Sequence, residues 1–460
     1  MPKSSASGTG ASPKKTRATA TNRNAQRGGA FVNHQAAIDF LDSRINVEQV
    51  RPSKVEKTVW ELGRMRALLT ELGDPQNDLE IVHIAGSKGK GSVCNMLEGA
   101  FEACGYTTGI FTSPHLMHVR ERVRIGSHPI SESVFDAALE QCRDAANAIE
   151  NDHGRATYFE ILTALALVVF AQEAVDLVVL ETGIGGRLDC TNVVSPRICG
   201  LTNIHLEHTA ILGDTLELIA KEKAGIMKPG AVTISTPQDD EVLNVFVEHA
   251  SKTNTTLKVL GQDIVYTRRF QSGALRGPHA RVCVGEGSGE NDGGFEDMPV
   301  PLMGMHQSDN CALALAIILE LREHGFDLPE RMISAGFKQI NTQGRLEQVM
   351  QTPRIYIDGA HTPESVRETL KAVGAHLNYD SLIVIFGCAA DKHVDLMIGE
   401  LDRGADKVIF TQASDNPRAI KADELLNRFE AGEHTAMAEA KDSVRDAING
   451  AAKALSGNDL

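Results

Sequence analysis

Residues 82–93 read Val-His-Ile-Ala-Gly-Ser-Lys-Gly-Lys-Gly-Ser-Val, and no other stretch limits the fold as tightly. The apolar run Leu79 to Ile84, broken by Glu80 and His83, has the character of a buried strand. Gly86, Gly89 and Gly91 follow within six residues, and then a helical pattern from Val93 to Phe101. Strand, glycine loop and helix in that order present free backbone N–H groups and a helix N-terminus to a phosphate. Lys90 adds a positive charge near the outer phosphates, and the Ser92 hydroxyl a place for a magnesium ion. The common phosphate loop has four residues between its first glycine and its Gly-Lys pair. Here only Ser87 and Lys88 intervene. An ordinary glycine turn would have no need of the Lys and Ser that follow.

A chain of 460 residues is long enough for two or three domains with full cores. Its 42% hydrophobic and 23% charged residues are those of a globular protein, and the longest apolar stretch, Ile161 to Ala174, is too short and interrupted to span a bilayer. Eight cysteines are scattered without a Cys-x-x-Cys pair, and no apolar signal segment is evident, so a reducing cytoplasm and free thiols are expected. A net charge of −15 argues against nucleic acid as a partner. The first 29 residues run against that balance, with six basic side chains and no acid. They are nearly devoid of large apolar groups and read as a disordered basic tail, 1–30, with a transit peptide as the alternative.

Two short amphipathic helical patterns lie between Ala36 and Arg66, and strand and helix alternate from Glu80 onward. Strands are expected at Thr107–Thr112, Val175–Glu181, Ile198–Ile204 and Val232–Thr236. Helices are expected at Ser131–Glu150, Tyr158–Gln172, Leu216–Ile226 and Glu241–Ser251. Repeated β-α units with continuous apolar strands imply an α/β fold with a parallel sheet covered on both faces. Residues 285–296 read as a flexible surface insertion. A second alternating series has strands at Arg354–Asp358, Leu382–Phe386, Lys407–Thr411 and, weakly, Thr435–Met437. The boundary between the two series falls near Asn341-Thr342-Gln343-Gly344, giving units of 31–342 and 343–460.

Several strand ends carry chemistry. Glu181 closes an apolar run and is followed by Thr-Gly-Ile-Gly-Gly-Arg-Leu-Asp. A phosphate-loop protein needs such an acid on a neighbouring strand to hold magnesium, and the three glycines would let backbone approach a ligand that Arg187 or Asp189 orients. His205, Glu207 and His208 end the next strand and would complete a second metal site. The helix that follows places Lys221 and Lys223 beside acids; solvated surface charge is the ordinary fate of each. Ser113, before Pro114, is either a metal ligand or part of a turn. In the second series Asp358-Gly359-Ala360-His361 again ends a strand, where open α/β sheets bind ligands. His306, Gln307 and Asn310 open a helix, to meet a purine edge or to cap the helix.

Together these residues resemble the folylpolyglutamate synthase/dihydrofolate synthase family of the Mur-ligase-like ATP-dependent amide ligases. The resemblance runs from about Ala36 to the C-terminus through eight ordered motifs. They are Gly86–Ser92, Ser113-Pro114-His115-Leu116, Glu181 to Asn192, Thr202 to His208, Glu222 to Ile226, His306-Gln307 with Asn310, Gly344-Arg345, and Asp358 to His361. It implies an N-terminal phosphate-loop-type sheet unit and a smaller, Rossmann-like C-terminal unit that close on each other. It also implies the reaction: ATP phosphorylates the γ-carboxylate of a reduced folate, and the amino group of L-glutamate attacks the acyl phosphate. By resemblance Gly86, Ser87, Lys88, Gly89, Lys90, Gly91 and Ser92 cradle the ATP phosphates. Ser92, Ser113, Glu181, His208 and Lys223, the last as a carbamate, would hold two magnesium ions. His306, Gln307 and Asn310 would face the adenine, while Arg345, Asp358 and His361 reach the nucleotide from the second unit. Lys90, Lys223, His208, Asp358 and His361 are the expected catalytic set, and the family implies a monomer.

Three departures stand out. Ser87 and Lys88 replace Thr and Asn in the family loop, Glu207 stands where Asp is usual, and Thr362 replaces Asn after His361. None removes a proposed metal ligand or Lys90. Dihydropteroate as acceptor, alone or beside tetrahydrofolate, is the close alternative, and a cell-wall amino-acid ligase the next. A nucleotide-binding regulator that has lost catalysis is the reading from outside the enzymes.

Overall fold

The computed structural model describes residues 29–48, 61–273, 277–285, 294–340, 343–414, 416 and 418–460. The basic tail up to residue 28, most of the glycine-rich insertion, and Asn341 and Thr342 at the expected boundary lie outside the described residues.

The first half is built on eight strands: β1 (Ile81–Ala85), β2 (Thr108–Phe111), β3 (Val123–Ile125), β4 (His128–Pro129), β5 (Leu177–Glu181), β6 (Ile198–Leu201), β7 (Val232–Ser235) and β8 (Thr256–Val259). Their order in the sheet is β4-β3-β2-β5-β1-β6-β7-β8. The six strands from β2 to β8 run parallel, and β3 and β4 add an antiparallel edge. Every residue of β1, β2, β5 and β6 is buried, as a parallel sheet between two helical layers requires.

The helices of this half are α1 (His34–Asp42), α2 (Leu62–Glu71), α3 (Lys90–Ala103), α4 (Glu132–His153), α5 (Tyr158–Gln172), α6 (Thr209–Leu212), α7 (Leu216–Ala224) and α8 (Asp240–Thr253). Successive residues of β5 enter opposite cores. Val178 and Leu180 join α1, α2, α4 and α5, whereas Leu177 and Val179 join α3. A third core, around Leu201, Ile219 and Phe246, seats α7 and α8. The α5 helix is apolar on every side and almost wholly enclosed, which is what such a helix must be in water. Each fully buried Leu, Ile or Phe on it contributes roughly 1.5–3 kcal/mol. Among the described residues no helix is long and apolar enough to cross a membrane.

An antiparallel sheet, β9 (Val265–Gly273), β10 (Gly277–Gly285) and β11 (Phe295–Pro299), follows, with α9 (His306–Glu323) and α10 (Glu330–Phe337). The expected surface insertion is therefore smaller than 285–296: Gly285 ends β10, and Phe295 is a core residue of β11. A Phe that can pair with Val284 and bury its ring stays with the sheet.

The second series begins with an antiparallel pair, β12 (Glu347–Gln351) and β13 (Arg354–Ile357). A separate parallel sheet follows, β14 (Ile383–Phe386), β15 (Lys407–Phe410) and β16 (Met437–Ala440), with α11 (Pro363–His376), α12 (Val394–Gly404), α13 (Ala422–Glu430) and α14 (Val444–Ala454). The last strand starts where the expected one ends, because pairing with Lys407 begins at Met437. Within the described residues β13 pairs with β12, not with the parallel sheet.

Candidate active site

The sheet order places β1 between β5 and β6, with β2 beyond β5. The carboxyl ends of these four strands bring together the phosphate loop, Ser113, Glu181, and the segment from Thr202 to His208. Ligands of open α/β sheets bind at this kind of convergence.

The loop from Gly86 to Ser92 adopts backbone that its glycines permit. Gly86 and Gly89 have φ of 144° and 92°, and α3 begins at Lys90, three residues before the expected Val93. Ser87 is a brace. Its N–H donates to Asn203 O at 3.0 Å, its hydroxyl donates to His205 O at 3.0 Å, and it accepts from His205 N. Lys90 Nζ donates to Gly86 O at 3.0 Å. Gly91 lies against Glu181, and Ser92 is buried at the first turn of α3.

Glu181 closes β5 at 4% exposure. Burial raises its carboxyl above the usual range, with Lys90 working in the opposite direction. Its Oε2 accepts from Ser113 N at 3.1 Å, so the turn at Ser113 is directed onto the acid. A divalent cation would relieve the cost of ionising this carboxylate.

Of the two lysines on α7, Lys221 is exposed and Lys223 is 1% exposed. Lys223 Nζ donates to Glu207 Oε1 at 2.7 Å and to Gly86 O at 2.8 Å. Burial lowers its pKa to about 8, against the pull of Glu207. Glu207 is also deep; burial tends to raise its pKa, but Lys223, Lys90 and His208 bring it to about 2. His208 has φ of 46°, a left-handed conformation uncommon for a side-chain-bearing residue. Burial holds its imidazole neutral, with a pKa of about 4. Among the described residues no three His, Cys, Asp or Glu side chains form a metal-holding cluster.

The glycines after Glu181 allow close approach to other parts of the protein. A side chain at Gly186 would lie 2.7 Å from Glu222 O, and one at Gly183 would strike Phe159. Gly183 thus lets the loop pack on α5, and Gly186 lets it pack on α7. Arg187 is paired with Glu222 at 2.8 Å, and its N–H donates to Glu222 O. Asp189 is fully engaged, accepting from Gly183 N, Ile184 N, Thr191 N and the Thr191 hydroxyl. This loop therefore positions α7, and with it Lys223.

Asn310 and Gln307 hydrogen-bond each other at 2.9 Å, and Asn310 lies directly against Gly89. Asn310 thus supports the phosphate loop, and neither side chain caps α9. His306 is turned toward α11, close to Gly304, and burial lowers its pKa.

From the C-terminal half, Asp358 organises the turn that carries Arg345. Its Oδ2 accepts from Leu346 N at 3.0 Å, and its Oδ1 from Ala360 N and the Thr369 hydroxyl at 2.9 Å. Arg345 lies beside Gly359, and its charge bears on Glu181 and His306. His361 Nδ1 donates to Gly359 O at 2.8 Å, which leaves Nε2 as an acceptor. That nitrogen stands 3.5 Å from Lys88 Nζ, across from the phosphate loop. Thr362, in place of Asn, caps α11 by accepting from Ser365 N.

Sequence reasoning missed two supports. Buried His83 on β1 is 2.9 Å from the Thr191 hydroxyl, which continues to Asp189. Arg122, 2% exposed, holds His115 and Glu48, and a lone Arg before a three-residue strand carries no signal of that.

The Mur ligase middle domain family matches residues 84–318, and the Mur ligase glutamate ligase domain family matches residues 344–460. The Bacillus subtilis dihydrofolate synthase/folylpolyglutamate synthase is 32% identical over 403 residues, covering 87% of this chain and 90% of the relative. The Mycobacterium tuberculosis folylpolyglutamate synthase complexed with ADP and AMPPCP superposes with a TM-score of 0.81 at 28% identity, over 92% of each chain. E. coli FolC in complex with DHPP and ADP superposes with a TM-score of 0.77 at 25% identity, over 93% of each chain. The chain belongs to the Mur ligase family, in its folylpolyglutamate/dihydrofolate synthase branch.

Proposed function

We propose that this protein is an ATP-dependent ligase that joins L-glutamate to the γ-carboxylate of a reduced folate. The observation that carries the reading is the convergence of the phosphate loop, buried Glu181 and the Glu207–Lys223 pair at adjacent strand ends. The relatives of the same length that share this frame are named for the reaction.

In the first step a carboxylate oxygen of the folate attacks the γ-phosphorus of ATP, the bond to ADP breaks, and an acyl phosphate forms. In the second, the glutamate nitrogen, having lost its ammonium proton to solvent, attacks the acyl carbon as the free amine, the C–N bond forms, and phosphate leaves with the second nitrogen proton going to it. Negative charge gathers on oxygens in both, so fixed positive groups account for most of the rate. Lys90 exchanges its bond to Gly86 O for the phosphates, and the N-terminus of α3 adds its free N–H groups. His361, with a pKa lowered by burial and then by Lys88 to about 4, is a neutral acceptor and too weak a base to deprotonate the incoming ammonium. It orients a donor instead.

The donors at the strand ends suit magnesium: a buried carboxylate, a neutral imidazole and hydroxyls. Ser92, Ser113, Glu181, His208 and Lys223 would hold two ions, which supply charge neutralisation along the phosphates. Lys223, with a pKa of about 8, offers the free amine that carbon dioxide requires. A carbamate beside the Glu207 carboxylate would need a cation between them, so the modification and the metal fit together. We further propose two units, 31–342 and 343–460, that close over the nucleotide, in a cytoplasmic monomer.

The test is ATP-dependent incorporation of labelled glutamate by purified protein, with tetrahydrofolate and dihydropteroate as separate acceptors. Incorporation with tetrahydrofolate supports the reading, and incorporation with dihydropteroate alone would reassign the acceptor. Incorporation with neither, in folded protein that binds ATP, would leave the regulator reading.

A further inference from the structure

Glu48 belongs to none of the motifs, yet it touches both halves of the chain. Its carboxylate grips the buried Arg122 guanidinium twice, at 2.8 Å from Nη1 and 2.6 Å from Nη2. Its backbone carbonyl accepts from Arg418 Nη1 at 2.8 Å, 370 residues along the chain.

On one side the contacts lead to the Ser113 turn. Arg122 Nε donates to His115 Nδ1 at 2.8 Å, and Arg122 O accepts from Thr112 N at 3.1 Å. Both neighbours flank Ser113, whose N–H meets Glu181. On the other side Arg418 pairs with Asp391 at 2.6 Å and accepts from Ala390 N at 2.8 Å through its own carbonyl. Lys392, next in the chain, is near enough for its charge to bear on Lys88, His208 and His361.

A guanidinium at 2% exposure needs a counter-charge, and that need alone accounts for the Glu48 side chain. It does not account for the second contact. A half-buried arginine that only paired with Asp391 would have no reason to reach a backbone carbonyl in the other half of the chain.

We propose that Glu48 is a positioning residue, a clasp that ties the Ser113 turn to the Arg418–Asp391 corner of the C-terminal half and holds the two in register for ligation. The proposal rests on the ligase reading above. The clasp acts through Arg122 and Arg418 and touches no reacting atom.

The experiment uses the full chain and the variants Arg418→Gln, Arg418→Lys, Glu48→Gln and the pair Glu48→Gln/Arg418→Gln. Arg418→Gln leaves the buried Glu48–Arg122 pair intact, so folding is preserved. The clasp predicts a fall in kcat of about tenfold with KM for ATP within about twofold, and partial recovery in Arg418→Lys. In the Glu48→Gln background, Arg418→Gln should cost less than it does alone, because the carbonyl it held is no longer fixed. Small-angle scattering with AMPPCP bound reads the same coupling without turnover, and the wild-type protein should have the smaller radius of gyration. Wild-type kcat in Arg418→Gln, multiplicative losses in the pair, or equal radii would each overturn the clasp. If the wild-type chain incorporates no glutamate, the ligase reading falls and the scattering comparison alone decides the clasp.

Discussion

Lys88 Nζ, on the phosphate loop, stands 3.5 Å from Nε2 of His361, which lies 273 residues further along the chain. The same ammonium is 4.0 Å from Glu207 Oε2, so one cation spans the loop, the Lys223 partner and the C-terminal half. Lys88 and Glu207 are two of the departures from the family pattern, and the geometry makes them a pair. Burial lowers the basicity of Lys88 and Glu207 restores part of it.

Lys88→Asn should lower kcat by about tenfold and raise KM for ATP less, because Lys90 and the loop backbone remain. Lys88→Arg should recover part of the loss. Steady-state kinetics of the three proteins check this, and an unchanged kcat in Lys88→Asn would remove Lys88 from the account.

Lys223→Ala should abolish ligation, by about 10²-fold or more, while the protein stays folded. The variant leaves Glu207 at 9% side-chain exposure without its ammonium, so a lower melting temperature accompanies the loss. Circular dichroism and labelled-glutamate incorporation, read together, separate the two effects. Wild-type turnover would sink the carbamate assignment.

Gly89→Ala should weaken nucleotide binding. Gly89 is left-handed at φ of 92°, and an added methyl group would overlap the Asn310 side chain. The loop cannot yield without breaking the Asn310–Gln307 hydrogen bond at the start of α9. Calorimetric titration with AMPPCP should show an affinity reduced by about tenfold or more. Unchanged affinity would mean that the loop has another stable form.

Glu98, on α3, carries a testable pH dependence. Burial raises its pKa to about 7 despite Arg124, whose Nη1 is 3.0 Å away. The folded protein keeps a proton that an exposed carboxyl, with its pKa of 4.5, has released. Stability should therefore fall as pH rises from about 4.5 to about 7, by up to about 1.4 kcal/mol per pH unit from this group. Glu98→Gln should flatten that part of the curve in denaturant titrations at several pH values. An identical slope in the variant would contradict the buried-acid reading.

The parts that were legible in the sequence share one property: they rest on short-range pattern. Buried parallel strands such as Leu177–Glu181 are continuous apolar runs, and α5 was readable to the residue. The phosphate loop and Glu181 were readable because glycines and a strand-ending acid are local signals. The glycines at 183 and 186 were readable as points of close approach, but nothing in the sequence says that the neighbours are Phe159 of α5 and the backbone of α7. Lys223 and Lys221 look alike two positions apart, and only the packing of α7 buries one of them. The contacts of Lys88, Glu48 and Arg122 are set by tertiary neighbours tens to hundreds of residues away, whereas β13 pairs with β12 as a local hairpin across Thr352 and Pro353.

In the proposed reaction ATP activates the folate γ-carboxylate as an acyl phosphate on the site where the phosphate loop, Glu181 and Lys223 converge. The most direct measurement supplies tetrahydrofolate labelled with oxygen-18 in that carboxylate, together with ATP and L-glutamate, and follows the label by mass spectrometry. Each inorganic phosphate released should carry one oxygen from the carboxylate. Phosphate free of the label, formed in step with glutamate incorporation, would contradict it.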